Sequence, residues 1–224
     1  MKKPIFFILV SLVVFTISCK KDKVLPAVNM GYNYFPTNVG HWVAYQVDSI
    51  VWDDFTQSVD TFHYKIKELV ESEFIDNSSR ITQRIERFIK INDSTAWQIK
   101  NVYYWNITPS IAEKTEQNIR YAKLIFPTVK SEKWDGNMYN FQEAQSYKYV
   151  YVDKPDSYNS LAFDSTLSVL QKDEEYAISK DYAEEIYARN VGMIYKRYTS
   201  ISTKPTGEIT KGVDYQYTII SYGN

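Results

Sequence analysis

The chain is poor in the residues that most often announce chemistry, with one cysteine and two histidines in 224 residues. The lone Cys19 has no partner for an internal disulfide, and a zinc centre needs more thiolate or clustered imidazole ligands than the chain supplies. Nucleophile elbows, P-loops, G-x-G-x-x-G turns, H-E-x-x-H pairs and C-x-x-C motifs are missing, which removes the readily recognised enzymes; no cofactor is implied. Calcium loops with spaced acids are missing too. Glycine and proline number seven each, too few for low-complexity disorder. No stretch concentrates lysine and arginine, which argues against a nucleic-acid partner, because neutralising phosphates requires a basic face.

The acidic residues form adjacent pairs, Asp53-Asp54, Glu174-Glu175 and Glu184-Glu185. A glycoside hydrolase holds two carboxyls across a cleft, whereas neighbours on a strand point to opposite faces, so these pairs read as solvated edges. His41, beside Gly40, reads as a cap at the entry to the first strand, and His63, among polar neighbours, as facing water. No catalytic residue is assigned.

The chain has a single long hydrophobic run. Lys2 and Lys3 precede an apolar stretch from Ile5 to Ile17, and residues 4–18 carry no Asp, Glu, Lys or Arg. A membrane span needs ~20 apolar residues, so this shorter run reads as an export signal. With Ser18, Cys19 and Lys20 behind it, the segment resembles a bacterial lipoprotein signal, cut before the cysteine, whose new N-terminus carries acyl chains. That resemblance implies a signal peptide over 1–18, lipid anchoring at Cys19 and membrane attachment through the acyl chains. The opening CKKD looks like lipoproteins of Bacteroidota-type Gram-negative cells and implies an outer-membrane address, on either its periplasmic or its surface side. Without Lys2 and Lys3 the chain holds 24 basic and 27 acidic groups, a net charge of −3.

Residues 19–33 show no sustained period and carry Pro26 and Gly31, which reads as a flexible tether. The remainder, 34–224, has the length of one domain. Its aromatic content is high, at 20 Tyr, 11 Phe and 5 Trp, residue types that suit half-buried pleated surfaces. Period-two alternation runs through FHYKIKELVESEF, RITQRIERFIKI and AWQIKNVYYW, and predicts strands with one apolar face. Asn92-Asp93-Ser94 predicts a hairpin turn, Asp135-Gly136-Asn137 another, and KPTGEITK a third, while Pro127 stops the strand before it. Residues 110–118 fit a short helix or a wide polar connection, and residues 180–190 fit a helix or a strand. Eight to ten strands in hairpin succession imply a mainly β chain. The expected architecture is one antiparallel, strongly curved sheet, an incomplete barrel or sandwich with at most one or two short helices, its concave side filled by aromatics.

Aromatics at alternating strand positions are mostly core, yet Trp42, Trp97, Trp105 and Trp134 are candidate ligand-binding residues, because tryptophan lines lipid pockets and stacks on sugars. The tripeptides beginning at Asp48, Asp93 and Asp164 are similar to O-glycosylation sites of Bacteroidota envelope proteins, which makes Ser49, Ser94 and Ser165 candidate glycosylation sites. Three longer blocks, YFPTNVGHWVAYQV, KLIFPTVKSEKWDGN and IYARNVGMIYKRY, resemble blocks found in that order in uncharacterised lipoproteins of the same group. The resemblance implies no activity. The sequence therefore leads to a non-catalytic binding or scaffold protein of the envelope, with a hydrophobic ligand as the first expectation. A surface protein binding glycans through exposed aromatics is the second, and a hydrolase the third.

Overall fold

The computed structural model describes residues 27–224. The signal run, Cys19 and most of the tether lie outside the described residues. A 3-10 turn over Tyr32–Tyr34 is followed by twelve strands: β1 (Trp42–Asp53), β2 (Ser58–Ile75), β3 (Ile81–Lys90), β4 (Gln98–Ile107), β5 (Ile111–Glu116), β6 (Ile119–Ile125), β7 (Lys133–Asp135), β8 (Ser146–Tyr158), β9 (Leu161–Tyr176), β10 (Ser179–Ala188), β11 (Gly192–Thr203) and β12 (Ile209–Gly223). They form one antiparallel sheet in the order β6-β5-β4-β3-β2-β1-β12-β11-β10-β9-β8-β7.

The fold class agrees with the alternation, and the two undecided stretches are strands. Gln117 and Asn118 both take positive φ (51° and 63°), the backbone of a two-residue hairpin turn, and this makes β5 and β6 a tight pair in place of a helix. Asn159 and Ser160 (46° and 68°) do the same between β8 and β9.

The sheet curls until its edge strands β6 and β7 meet. Across that seam the Ala122 N–H donates to the Gly136 carbonyl at 2.9 Å, and the Trp134 indole donates to the Ala122 carbonyl at 2.8 Å. The Tyr149 hydroxyl donates to the Ile125 carbonyl at 2.7 Å and accepts from the Ile125 N–H at 3.0 Å. Edge strands expose unpaired backbone groups, and here β7, the turn after it and Tyr149 of β8 satisfy those of β6, giving a nearly closed barrel. Gly136 is required at this seam, since any Cβ there would overlap the Tyr147 ring.

One end of the barrel is plugged by the segment that leads into β1. Phe35 sits inside the rim with its ring 4.8 Å from Trp105 and 6.4 Å from Tyr187. Arg189 locks the plug from outside: its guanidinium lies 4.4 Å over the Tyr34 ring, donates to Asp153 at 2.7 Å and reaches Asn33. Gly40 and Gly192, at φ 93° and 91°, let the chain turn into β1 and β11 where a side chain would be strained.

Bulges alter which residues face inward. In β2 the register slips between Val70 and Ser72, so Phe74, expected on the apolar face with Ile66 and Val70, is exposed on the outside. A slip between β3 and β4 at Arg87/Phe88 separates Ile99, which is exposed, from Tyr103, which is buried, although the two share parity in the sequence.

Candidate functional site

The barrel interior is not a uniform apolar core. Charged side chains form a belt across its middle. From β2 and β3, Glu68 and Arg87 pair through two hydrogen bonds to one carboxylate oxygen at 2.8 and 2.9 Å. Arg87 also donates to Glu116 of β5 at 2.6 Å, and Lys114 lies 2.9 Å from the same carboxylate. On the far wall Lys123 of β6 meets Glu185 of β10 at 2.6 Å, Tyr187 donates to Glu185 at 2.6 Å, and Lys196 of β11 stands 3.6 Å away. The belt contains four cations, Arg87, Lys114, Lys123 and Lys196, against three carboxylates.

Buried charges are tolerated when paired and hydrogen-bonded. Burial pushes the Glu68 carboxyl up, but Arg87 and Lys114 more than offset it and hold the group below its ordinary range. Burial likewise opposes ionisation of Glu185, and the ammonium groups of Lys123 and Lys196 outweigh it, carrying the pKa down to about 2. Lys123 shares that carboxylate with a second cation. Burial together with repulsion from Lys196 and Lys114 brings it down to about 8, against the pull of Glu185. Glu185 is thus firmly ionised, while Lys123, and in the same direction Lys114, holds its proton less tightly than an ordinary lysine.

The belt separates two spaces. Under the plug is a cavity of about 40 Å³, lined by Phe35, Val43, Trp105 and Met193 and floored by Glu68, Lys114, Lys123 and Glu185. It has room for water but not for an acyl chain. Toward the other end is a cleft of about 390 Å³ that opens to solvent. Tyr121, Tyr147, Tyr198 and Tyr215 form its walls, Tyr198 and Tyr215 being stacked at 5.1 Å. The amides of Asn137, Gln142, Gln145 and Gln171 and the ammonium groups of Lys123, Lys172 and Lys196 complete it. Gln171 is only 7% exposed and its amide nitrogen has no hydrogen-bond partner. Lys172 is already neutralised at the rim by Asp181 at 3.3 Å and Glu174 at 3.6 Å.

The four candidate tryptophans do not form one surface. Trp105 faces the small cavity with its indole N–H unpartnered, and Trp134 is buried at the seam. Trp42 and Trp97 flank the Lys67 ammonium, 5.6 and 5.9 Å from it, with Phe88 at 5.4 Å. None lines the open cleft. Of the glycosylation candidates, Ser49 is buried, Ser165 is bonded to Asp153 at 2.6 Å and to Tyr34, and Ser94 lies on the exposed turn after β3. Cys19 lies outside the described residues.

His41 is more enclosed than a strand-entry cap: it is buried, 3.0 Å from the Val191 carbonyl and 2.7 Å from the side chain of Asn224. His63 faces water, its side chain 66% exposed beside Asp48. The Glu184-Glu185 pair is not a solvated edge, because Glu185 is 3% exposed inside the barrel while Glu184 accepts hydrogen bonds from Ser168 and Tyr182. Neither histidine reaches the cleft, and no group of three or more His, Cys, Asp or Glu that could hold a metal occurs among the described residues.

The belt was not recognised from the sequence, although a signal for it was present. Glu68 and Arg87 occupy the same parity as Ile66 and Ile85, interrupting two apolar faces at positions that pair directly across the sheet.

The three blocks that resemble envelope lipoproteins converge in space. They supply every lining residue of the small cavity except Glu68, Trp105, Lys114 and Glu185. Tyr45 of the first block donates to the Met193 carbonyl of the third at 2.9 Å, and the Asn190 N–H of the third block donates at 2.6 Å to the carbonyl of Asn33, the residue just before the first block.

No protein-family model matches the chain, and no curated protein matches it in sequence. Among solved structures, one neighbour is a protein of Bacteroides fragilis described as exported and as having a YmcC-like fold; identity is 11%, the TM-score 0.44, and the match covers 85% of this chain and 98% of that one. Another, described as a lipoprotein of Parabacteroides distasonis, has 10% identity, a TM-score of 0.44 and the same coverage. Likeness at this level assigns neither activity nor ligand.

Proposed function

We propose that this is a lipid-anchored, non-catalytic binding protein of the cell envelope that takes a small polar molecule into the open end of its barrel. The observation that carries the reading is the contrast between the two interior spaces. Binding sites for small molecules measure roughly 300–1,000 Å³, a range that includes the open cleft and excludes the cavity under the plug. The cleft's walls combine flat tyrosine faces with side-chain amides that donate and accept, a lining suited to a hydroxyl-rich ring. A hydrophobic ligand fits less well, since the apolar space is small and rests on charged groups.

The strand directions support an orientation. The plug enters where β1 begins, whereas the cleft is bounded by the loop after β7 and the end of β9, at the far end of the barrel. An anchor at Cys19 therefore attaches the protein by its plugged end and leaves the cleft facing away from the membrane. Outer-membrane residence, which rests on the resemblance of the opening CKKD to Bacteroidota-type lipoproteins, is part of the same proposal.

The test is to extract the protein in mild detergent and identify what it releases on denaturation by mass spectrometry. A hydroxylated polar compound is expected. Release of phospholipid or fatty acid alone overturns the reading. Separately, Cys19→Ser is expected to move the protein from the membrane to the soluble fraction, and continued membrane partition removes the anchor.

A further inference from the structure

Resting on the reading of the cleft as the binding site, we propose that its ligand carries a carboxylate or phosphate group, seated between the ammonium groups of Lys123 and Lys196. The cleft reading alone asks only for a polar ring. The charges at its floor ask for more.

Three cations line the cleft, and they are not equally satisfied. Lys172 is matched by Asp181 and Glu174 at the rim and needs nothing further. Lys123 and Lys196 share the single carboxylate of Glu185, which is 2.6 Å from the first and 3.6 Å from the second. The rest of the belt does not relieve this surplus. Arg87 is taken by Glu68 and Glu116, and Lys114 by Glu116. The pair Lys123 and Lys196 thus holds two positive charges against one negative charge, most of it out of water. Such an arrangement is costly unless an anion completes it.

A second, independent feature points to the same place. Gln171 is buried to more than nine-tenths, lines the cleft, and has an amide nitrogen without a partner. Its side-chain N–H groups can only donate, so the missing partner is an acceptor. A carboxylate or phosphate oxygen supplies that acceptor and the missing negative charge together, in the charge-assisted geometry that makes such bonds strong. Burial lowers the proton affinity of Lys123, and repulsion from Lys196 and Lys114 adds to it against the pull of Glu185.

Calorimetry on the full-length protein in detergent, with glucuronate, glucose and inorganic phosphate as probes, tests the inference. Glucuronate is expected to bind more tightly than glucose, and Lys196→Gln to weaken it roughly 10–100-fold, the loss of one charged hydrogen bond. Lys204→Gln, which removes an exposed lysine outside the cleft that is paired with Glu208, is the control and is expected to leave affinity unchanged. Binding of glucuronate without phosphate identifies a carboxylate ligand, and binding of phosphate without glucuronate a phosphorylated one. Gln171→Leu serves as a second variant should Lys196→Gln not fold, with a loss in the same direction. Equal affinity for glucose and glucuronate, unaffected by Lys196→Gln, overturns the anion and leaves the cleft standing. If none of the three probes binds, the cleft and the anion fall together.

Discussion

Glu185 and Lys123 meet at 2.6 Å across the barrel, joining β10 to β6, two strands that are far apart in the sheet order and are brought together only by its closure. Replacing Glu185 with Gln leaves Lys123 and Lys196 facing each other without a counter-charge. The expected loss of stability is about 3–5 kcal/mol, as for a broken buried ion pair. Lys123→Met is expected to cost less, because Glu185 retains Lys196. Urea denaturation of the two variants gives the order, and the reverse order would contradict the shared-carboxylate geometry.

The same groups fix the response to acid. Glu185 titrates near its ordinary value of 4.5 when unfolded and at about 2 when folded, so the unfolded chain takes up protons first as pH falls. Stability contributed by Glu185 is complete above about pH 4.5 and is lost progressively toward pH 2. Glu68, also held below its ordinary range, adds to the loss in the same sense. Thermal unfolding between pH 6 and pH 2 is expected to show a falling midpoint that is shallower in Glu185→Gln.

Lys123 acts at the other end of the scale. Its pKa falls from 10.5 to about 8 on folding, so between these values the unfolded chain holds more of its proton and its contribution to stability rises with pH. Lys123→Met removes that rise, which denaturation at pH 7.5 and pH 10 measures.

The seam offers a test of closure. The buried Tyr149 hydroxyl satisfies both the N–H and the carbonyl of Ile125. Tyr149→Phe leaves both without that partner and is expected to cost about 1–3 kcal/mol. Hydrogen exchange is expected to speed up along β6 before it does in β1 or β12, which lie mid-sheet.

The plug is held by Arg189, whose partner Asp153 is more than half exposed. Solvent screening reduces what that ion pair contributes to overall stability. Arg189→Ala is therefore expected to change the global midpoint little, while amide exchange over Asn33–His41 accelerates. Unchanged exchange there would mean that Phe35 alone retains the plug.

How much of this was legible follows from what alternation reports. Period two separates the two faces of a strand, and Ile66, Ile85 and Tyr103 could be assigned to one apolar face from spacing alone. Bulges are invisible to spacing, because one inserted residue reverses every later position. Spacing alone therefore places Phe74 and Ile99 inward, whereas both are exposed. The belt was missed because a charged residue on a half-buried strand ordinarily marks the wet face, whereas inside a closed barrel Glu68, Arg87, Lys123 and Glu185 neutralise one another.

The sequence on its own determined an antiparallel β chain and its main turns, since both are written in local spacing and residue type. Closure of the sheet, the plugged end, and the meeting of Lys123, Glu185 and Lys196 were decided by tertiary structure. They depend on which distant strands become neighbours when a twisted sheet curls onto itself, and no local pattern records that.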